Sequence, residues 1–370
     1  MSTLFDYIQW RGDLDFKQSP LNPVDHLILS QISYLPFDGI VSGPEAKEGI
    51  SLHLALEKLL DRLPSSESEL VMLLGFKEIP EFIKTLVSSN RFRNCQIVGF
   101  VNKVDADKEV QFSALCLYLG DGSCSVVFRG TDATFVGWKE DFNMTFREII
   151  PAQQEAVKYL DNIASHVSGN LQLAGHSKGG NLAIYAAAFC SDKVKKRITN
   201  IYSYDAPGFH EKIIASDGFD SIKDRVRSFI PQSSIVGMML EHGCDYQVVK
   251  SSGTGLMQHF LFTWEVSYND LVYVDKVTLS SRFVDKTIRE WIGSLDNLQR
   301  EEFVETVYKI LLSSEVKSVQ EMEQSWLLTL GRILKSMGNI DDLTRKKTLK
   351  TIADLFRSAG RNLETLFKRH

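Results

Sequence analysis

Cysteine is scarce and unpatterned in this chain. The five cysteines, Cys95, Cys116, Cys124, Cys190 and Cys244, are odd in number and show no C-x-x-C spacing. That argues against a disulfide framework and against a zinc site, and it points to a reducing, cytoplasmic compartment. No apolar run approaches the length of about 18 residues that reads as a membrane-crossing helix. Residues 1–15 carry Asp6, Arg11, Asp13 and Asp15 and no apolar h-region, so they do not read as a signal peptide. An excess of positive charge is also missing. With 42 basic and 47 acidic residues the net charge is −5, which gives no reason to expect nucleic acid as a partner. Internal repeats and low-complexity segments are absent. The 370 residues, 44% hydrophobic and 24% charged, suffice for a well-filled core, either as two domains or as one large α/β domain with additions.

The most informative stretch runs from Leu171 to Phe189. A short apolar run at Leu171, Leu173 and Ala174 reads as a buried strand, and Ala183 to Phe189 as a helix of small residues. Between them lies Gly175-His176-Ser177-Lys178-Gly179, a G-x-S-x-G nucleophile elbow. A serine in a sharp strand-to-helix turn projects its hydroxyl clear of the backbone, and its strained dihedrals leave no room for side chains two residues away. Gly175 and Gly179 supply that room, and Gly180 allows close helix–strand packing. The free N–H groups of the helix start, that of Lys178 among them, can hold an oxyanion.

Around this centre the chain divides into three parts: a helical N-terminal segment over residues 1–94, an α/β core over 95–280, and a helical C-terminal extension over 281–370. The N-terminal part predicts a helix over Val24–Leu35 behind the caps Asn22 and Pro23, a second over Ser51–Leu63, and a third over Glu69–Val87 interrupted at Pro80. All three read as core packing. From Cys95 the period changes to alternation. Gln96–Val104, Val110–Leu119 and Ser123–Arg129 read as antiparallel opening strands of a mixed, mostly parallel sheet. Gln153–Ile163 is the helix leading to the elbow strand. Further strands are expected at Ile198–Tyr204, Arg225–Ile230 and Tyr246–Val249. Gly253 and Gly255 do not form a nucleotide loop, because no third glycine follows and no helix opens there. In the C-terminal part Trp326, Leu327, Leu330, Ile333, Leu334 and Met337 form one amphipathic face, and Leu343, Leu349, Ile352, Phe356, Leu363 and Phe367 another. Packing on the sheet or on a second copy of the chain is preferred for these faces over contact with a membrane surface.

Phe128-Arg129-Gly130-Thr131, then Trp138 and Asp141, then the elbow, then Tyr204-Asp205-Ala206-Pro207-Gly208, in this order, resemble the class 3 lipases of the α/β-hydrolase fold. Within that group the chain is similar to uncharacterised bacterial lipase-like proteins carrying Gly-His-Ser-Lys-Gly-Gly. The resemblance covers roughly residues 95–280, a domain-sized span. It implies an esterase acting on a lipid or small-molecule ester without metal or organic cofactor, and it gives Thr131 a part in the oxyanion hole. One departure stands out. Where the family carries its catalytic aspartate in an Asp-Ile-Val-Pro-like segment, this chain reads Ser234-Ile235-Val236-Gly237.

A serine nucleophile needs an imidazole within reach and a carboxylate to orient it, in the chain order Ser, acid, His. Of His210, His242, His259 and His370 downstream of Ser177, His259 follows the last expected strand and takes the slot. Asp205, at the end of the strand after the elbow helix, is the favoured acid, with Asp245 as its rival. Asp132 and Asp141 read as braces of the oxyanion loop, and His176 as buried support beside the nucleophile. The expectation is a serine esterase with Ser177, His259 and Asp205 as triad and Thr131 and Lys178 as oxyanion donors. Its alternatives are a non-catalytic scaffold that kept the fold, and thioester or amide cleavage at the same site.

Overall fold

The computed structural model describes residues 1–46, 48–64, 66, 69, 77–132, 135–313 and 341–367. The apolar stripe expected over Trp326–Met337, like His370, lies outside them.

Alternating and continuous apolar runs build one mixed sheet. Its strands, in spatial order, are β1 (Ile50–Ser51), β2 (Gln96–Asp105), β3 (Val110–Tyr118), β4 (Cys124–Phe128), β5 (Leu171–His176), β6 (Ile198–Tyr204), β7 (Val226–Pro231) and β8 (Tyr246–Val249). Two short strands, β9 (Val266–Ser267) and β10 (Asp270–Leu271), pair as a separate ribbon, and β11 (Tyr273–Val274) closes the main sheet against β8. Pairing is antiparallel from β1 to β4, and tight turns such as Gly120-Asp121-Gly122 join β2 to β3 and β3 to β4. From β4 to β8 it is parallel, and each strand returns to the same edge through a crossover.

Both faces of a parallel strand are buried, and the side-chain period of two then decides which layer each residue joins. Val126 and Leu173 point to the layer that holds helices α6 (Pro151–His166) and α7 (Lys178–Phe189). Their neighbours Val127 and Ala174 point to the opposite layer, made by the N-terminal helices α1 (Leu4–Arg11), α2 (Pro23–Ile32), α3 (Leu52–Leu60) and α4 (Ile79–Ser88). Between β4 and α6 lies α5 (Phe135–Met144). The sheet is thus the middle of three layers.

The N-terminal layer is more than generic apolar packing. Asn22 caps α2 by accepting from the Val24 and Asp25 amides, Asp25 reaches back to the Asn22 amide at 3.0 Å, and Pro23 opens the helix. The other oxygen of Asp25 takes the Tyr7 hydroxyl at 2.9 Å, and the carboxylate forms a fully buried ion pair with Arg91 at 2.6 Å. His26 stacks on Tyr202 of β6 with ring centroids 3.9 Å apart and meets Gln172 of β5 at 3.0 Å. Burial lowers the pKa of this imidazole to about 4.

Boundaries differ from the sequence expectation where local chemistry overrides periodicity. α2 stops at Ile32 and α3 at Leu60, each followed by a turn rather than by the apolar residues counted into it. Pro80 occupies the first turn of α4, where its missing N–H is harmless, and residues 70–76 of the stretch expected over Glu69–Val87 lie outside the described residues. The C-terminal helices are α8 (Leu279–Gly293), α9 (Asn297–Ser313) and α10 (Asp342–Phe367). Of the apolar face expected on α10, Leu343 and Phe356 are 66% and 71% exposed and Ile352 is half-buried, and the side chains of Leu363 and Phe367 lie outside the described residues. α10 packs on α8 and α9, and Thr348, Ser358 and Asn362 are buried on it. These small polar residues allow close approach, and Asn362 donates to Glu290 at 2.9 Å while Trp291 donates to the Thr351 carbonyl at 2.9 Å. Among the described residues no helix is long and apolar enough to cross a membrane.

Candidate active site

β5 delivers Ser177 to the start of α7 with φ 57° and ψ −134°, a left-handed backbone conformation that a serine adopts only when its surroundings impose it. The glycines impose it here. A Cβ on Gly179 would collide with the Phe128 carbonyl oxygen of β4, and one on Gly175 with the backbone of Gly179. Gly180 serves close packing too, but its tight neighbours are Ser203 and Ala206 in and after β6.

A second strained residue ends the next strand. Asp205 has φ 46° and is 1% exposed. Its Oδ2 lies 2.6 Å from His259 Nδ1, while Oδ1 accepts from Ser234 Oγ at 2.5 Å and from the Gly237 amide at 3.0 Å. The segment 234–237, which lacks the aspartate of the resembling family, thus supplies two donors to a carboxylate arriving from β6. Asp245 is exposed. His210 and His242 are turned to the carbonyls of Met144 at 2.9 Å and Gly237 at 2.5 Å.

His259 lies in an ordered segment after β8. It ends a short 3₁₀ turn, Gly255–His259, because Gln258 is pinned from three sides. Its side chain accepts from the Ser233 amide at 2.8 Å and donates to the Gly253 carbonyl at 3.0 Å, and its own carbonyl takes the indole N–H of fully buried Trp264 at 2.8 Å.

The loop after β4 passes beside the serine, since a Cβ on Gly130 would press on the Ser177 Cβ at 3.1 Å. Thr131 Oγ1 donates to Asp141 Oδ2 at 2.5 Å, and Arg129 spans Asn102 at 2.8 Å and Asp132 at 3.2 Å. Burial pushes the Asp141 carboxyl up to about 6, against the pull of the nearby Lys178 cation. Both acids therefore hold the loop, Asp141 directly and Asp132 through Arg129.

Three residues of this neighbourhood escaped the sequence reading. Lys178 enters that reading through its amide alone, yet its side chain is 1% exposed and donates to Gln111 O at 2.9 Å, to Gln111 Oε1 at 2.6 Å and to Glu140 Oε2 at 2.8 Å. Glu140, fully buried, also accepts from the Ala152 amide at 2.9 Å and the Gln111 amide at 3.2 Å. A lysine between an apolar strand and an apolar helix signals a buried carboxylate partner, although nothing in the sequence says which one. Tyr34, from the loop after α2, meets His176 Nδ1 at 2.9 Å. Ser234 is the third. Among the described residues no group of three His, Cys, Asp or Glu side chains is placed to hold a metal ion.

The elbow between β5 and α7, on a mixed sheet that is parallel from β4 to β8, makes this an α/β-hydrolase fold. Among solved structures, the chain is similar to the Rhizomucor miehei lipase propeptide complex at 13% identity and a TM-score of 0.36, over 61% of this chain and 67% of that one. It is similar to M37 lipase at 16% identity and a TM-score of 0.35, over 58% of this chain and 68% of that one. No curated protein matches it. The Mbeg1-like family model matches residues 86–309, well over half of the chain, and the protein therefore belongs to the Mbeg1-like family.

Proposed function

We propose that the protein is a serine hydrolase that cleaves a carboxylic ester through a covalent acyl-enzyme. The observation that carries this reading is the 2.6 Å contact of Asp205 with His259 Nδ1, on an imidazole whose ring centroid is 4.4 Å from that of His176, the residue before the strained Ser177. With Nδ1 engaged by the carboxylate, Nε2 is the nitrogen left to take a proton. In the first half-reaction Ser177 Oγ bonds to the carbonyl carbon and its proton passes to His259. The carbonyl oxygen becomes an oxyanion held by the Lys178 amide and by Thr131, and the collapsing intermediate expels the alcohol, which receives the proton from His259. Water, deprotonated by His259, then attacks the acyl-serine, and the second tetrahedral intermediate expels Ser177 Oγ, which recovers its proton from His259 as the carboxylic acid is freed. Asp205 keeps the imidazole in the correct tautomer and stabilises the imidazolium formed at each step.

An acyl lipid or small ester is the proposed substrate class, by the resemblance to class 3 lipases. A fluorophosphonate probe tests the reading. It is expected to label the wild type and not Ser177→Ala, and a panel of oxyester, thioester and amide substrates is expected to favour the oxyester. Folded wild-type protein that resists the probe would instead be a scaffold that kept the fold.

A further inference from the structure

Tyr34 lies outside residues 86–309, the part of the chain that matches the family, yet its hydroxyl sits where the oxyanion loop, the elbow and the imidazole meet. We infer that Tyr34 and His176 form a brace that positions His259 and ties it to the Gly130 loop, so that the N-terminal layer supplies a positioning residue of the active site. The inference rests on reading His259 as the base of a serine hydrolase.

Proton positions follow from the partners. His176 Nε2 lies 2.8 Å from the carbonyl oxygen of His259. A carbonyl oxygen can only accept, so Nε2 carries the proton. In the neutral ring Nδ1 is then an acceptor, and the Tyr34 hydroxyl, 2.9 Å away, is its donor. Each of these two donors thus has one acceptor, and the polarity runs one way from the Tyr34 hydroxyl to the main chain of the base. The imidazoles of His176 and His259 also lie against each other at 4.4 Å. Burial and the neighbouring imidazole of His259 keep His176 far below the usual imidazole range, so it stays neutral at neutral pH and adds no like charge when His259 becomes imidazolium. A Cβ on Gly130 would strike the Tyr34 hydroxyl, so the loop and the tyrosine are fitted to each other.

The tyrosine acts through the histidine, and two measurements on the full chain separate that role from ordinary packing. In nitrogen-15 NMR of histidine-labelled protein, wild-type His176 is expected to show the neutral Nε2–H tautomer, and Tyr34→Phe to show a mixture of tautomers, because Nδ1 has lost its donor. The rate of fluorophosphonate labelling of Ser177, and kcat on an ester, are expected to fall about tenfold in Tyr34→Phe with KM unchanged, the usual worth of one hydrogen bond. His176→Phe should fall at least as far, and adding Tyr34→Phe to it should cost nothing more. His176→Gln, whose amide can still donate to the His259 carbonyl, should recover part of the loss and guards against a Tyr34 variant that folds poorly. An unchanged tautomer in Tyr34→Phe, or two losses that add in full, overturns the brace while leaving the hydrolase standing. A wild type that never labels, with the tautomer responding as expected, overturns the hydrolase reading and with it the catalytic use of the brace.

Discussion

Replacing Lys178 by methionine removes the cation from beneath the elbow while keeping the length of the side chain and the backbone amide. Glu140 then remains as a fully buried carboxylate whose hydrogen-bond donors among the described residues are the Ala152 and Gln111 amides. Breaking a buried ion pair from one side costs about 3–5 kcal/mol, because the surviving charge keeps its desolvation penalty and loses its partner. The two amide donors offset part of this, so a loss of about 3 kcal/mol is expected for Lys178→Met. That is a large share of the roughly 5–15 kcal/mol by which native proteins are stable. Removing both charges removes the cause, so the double variant Lys178→Met, Glu140→Met is expected to be more stable than Lys178→Met alone, by roughly 1–4 kcal/mol. Urea unfolding followed by tryptophan fluorescence measures both, as a shift in midpoint at constant slope. Since neither substitution touches the Lys178 amide or Ser177, folded double variant should still take the phosphonate. A single variant within 1 kcal/mol of wild type, or a double variant weaker than both singles, would refute the account of this pair.

Asp205→Asn is expected to reduce turnover about 10⁴-fold with little change in substrate binding, since the amide presents the wrong hydrogen-bond polarity to His259 Nδ1; steady-state kinetics on an activated ester would measure it. Gly179→Ala should yield protein that fails to fold or to label, because its Cβ must displace the β4 backbone at Phe128; solubility and circular dichroism report which. The pKa of His26 is lowered from 6.5 to about 4, so its neutral form contributes stability that is present above pH 6.5 and is lost as the pH falls toward 4. The full contribution is roughly 3 kcal/mol at about 1.4 kcal/mol per pH unit, and a His26→Phe variant should show a flatter urea midpoint between those pH values. A wild-type midpoint that does not move across that window would contradict the buried, neutral assignment.

Much of the core was legible because its signals are local. Ile198–Tyr204 and Tyr246–Val249 form strands with the expected ends, and the elbow lies between a strand and a helix as its glycines require. The contact of Asp205 with His259 spans 54 residues and depends on β6 ending beside the turn at 255–259, which chain order could suggest and only packing could arrange. What stayed hidden shares one property. Tyr34, Glu140 and Ser234 meet the site from separate elements, and each is an ordinary polar residue in its own stretch of sequence. On α10 spacing alone does not say which side meets a neighbour within the chain: Leu343 and Phe356 obey helical spacing and are exposed, while Thr348, Ser358 and Asn362 are buried.

The fully buried Arg91 carries a practical warning. Its guanidinium belongs to the stretch shared with relatives, while the carboxylate that neutralises it, Asp25, is contributed by a helix upstream of that stretch. A shortened protein cut at position 86 would keep a buried cation, discard its counter-ion and lay bare the flank of the sheet that holds Leu115, Leu117 and Val127. The borders drawn by similarity are therefore not the borders of a foldable unit.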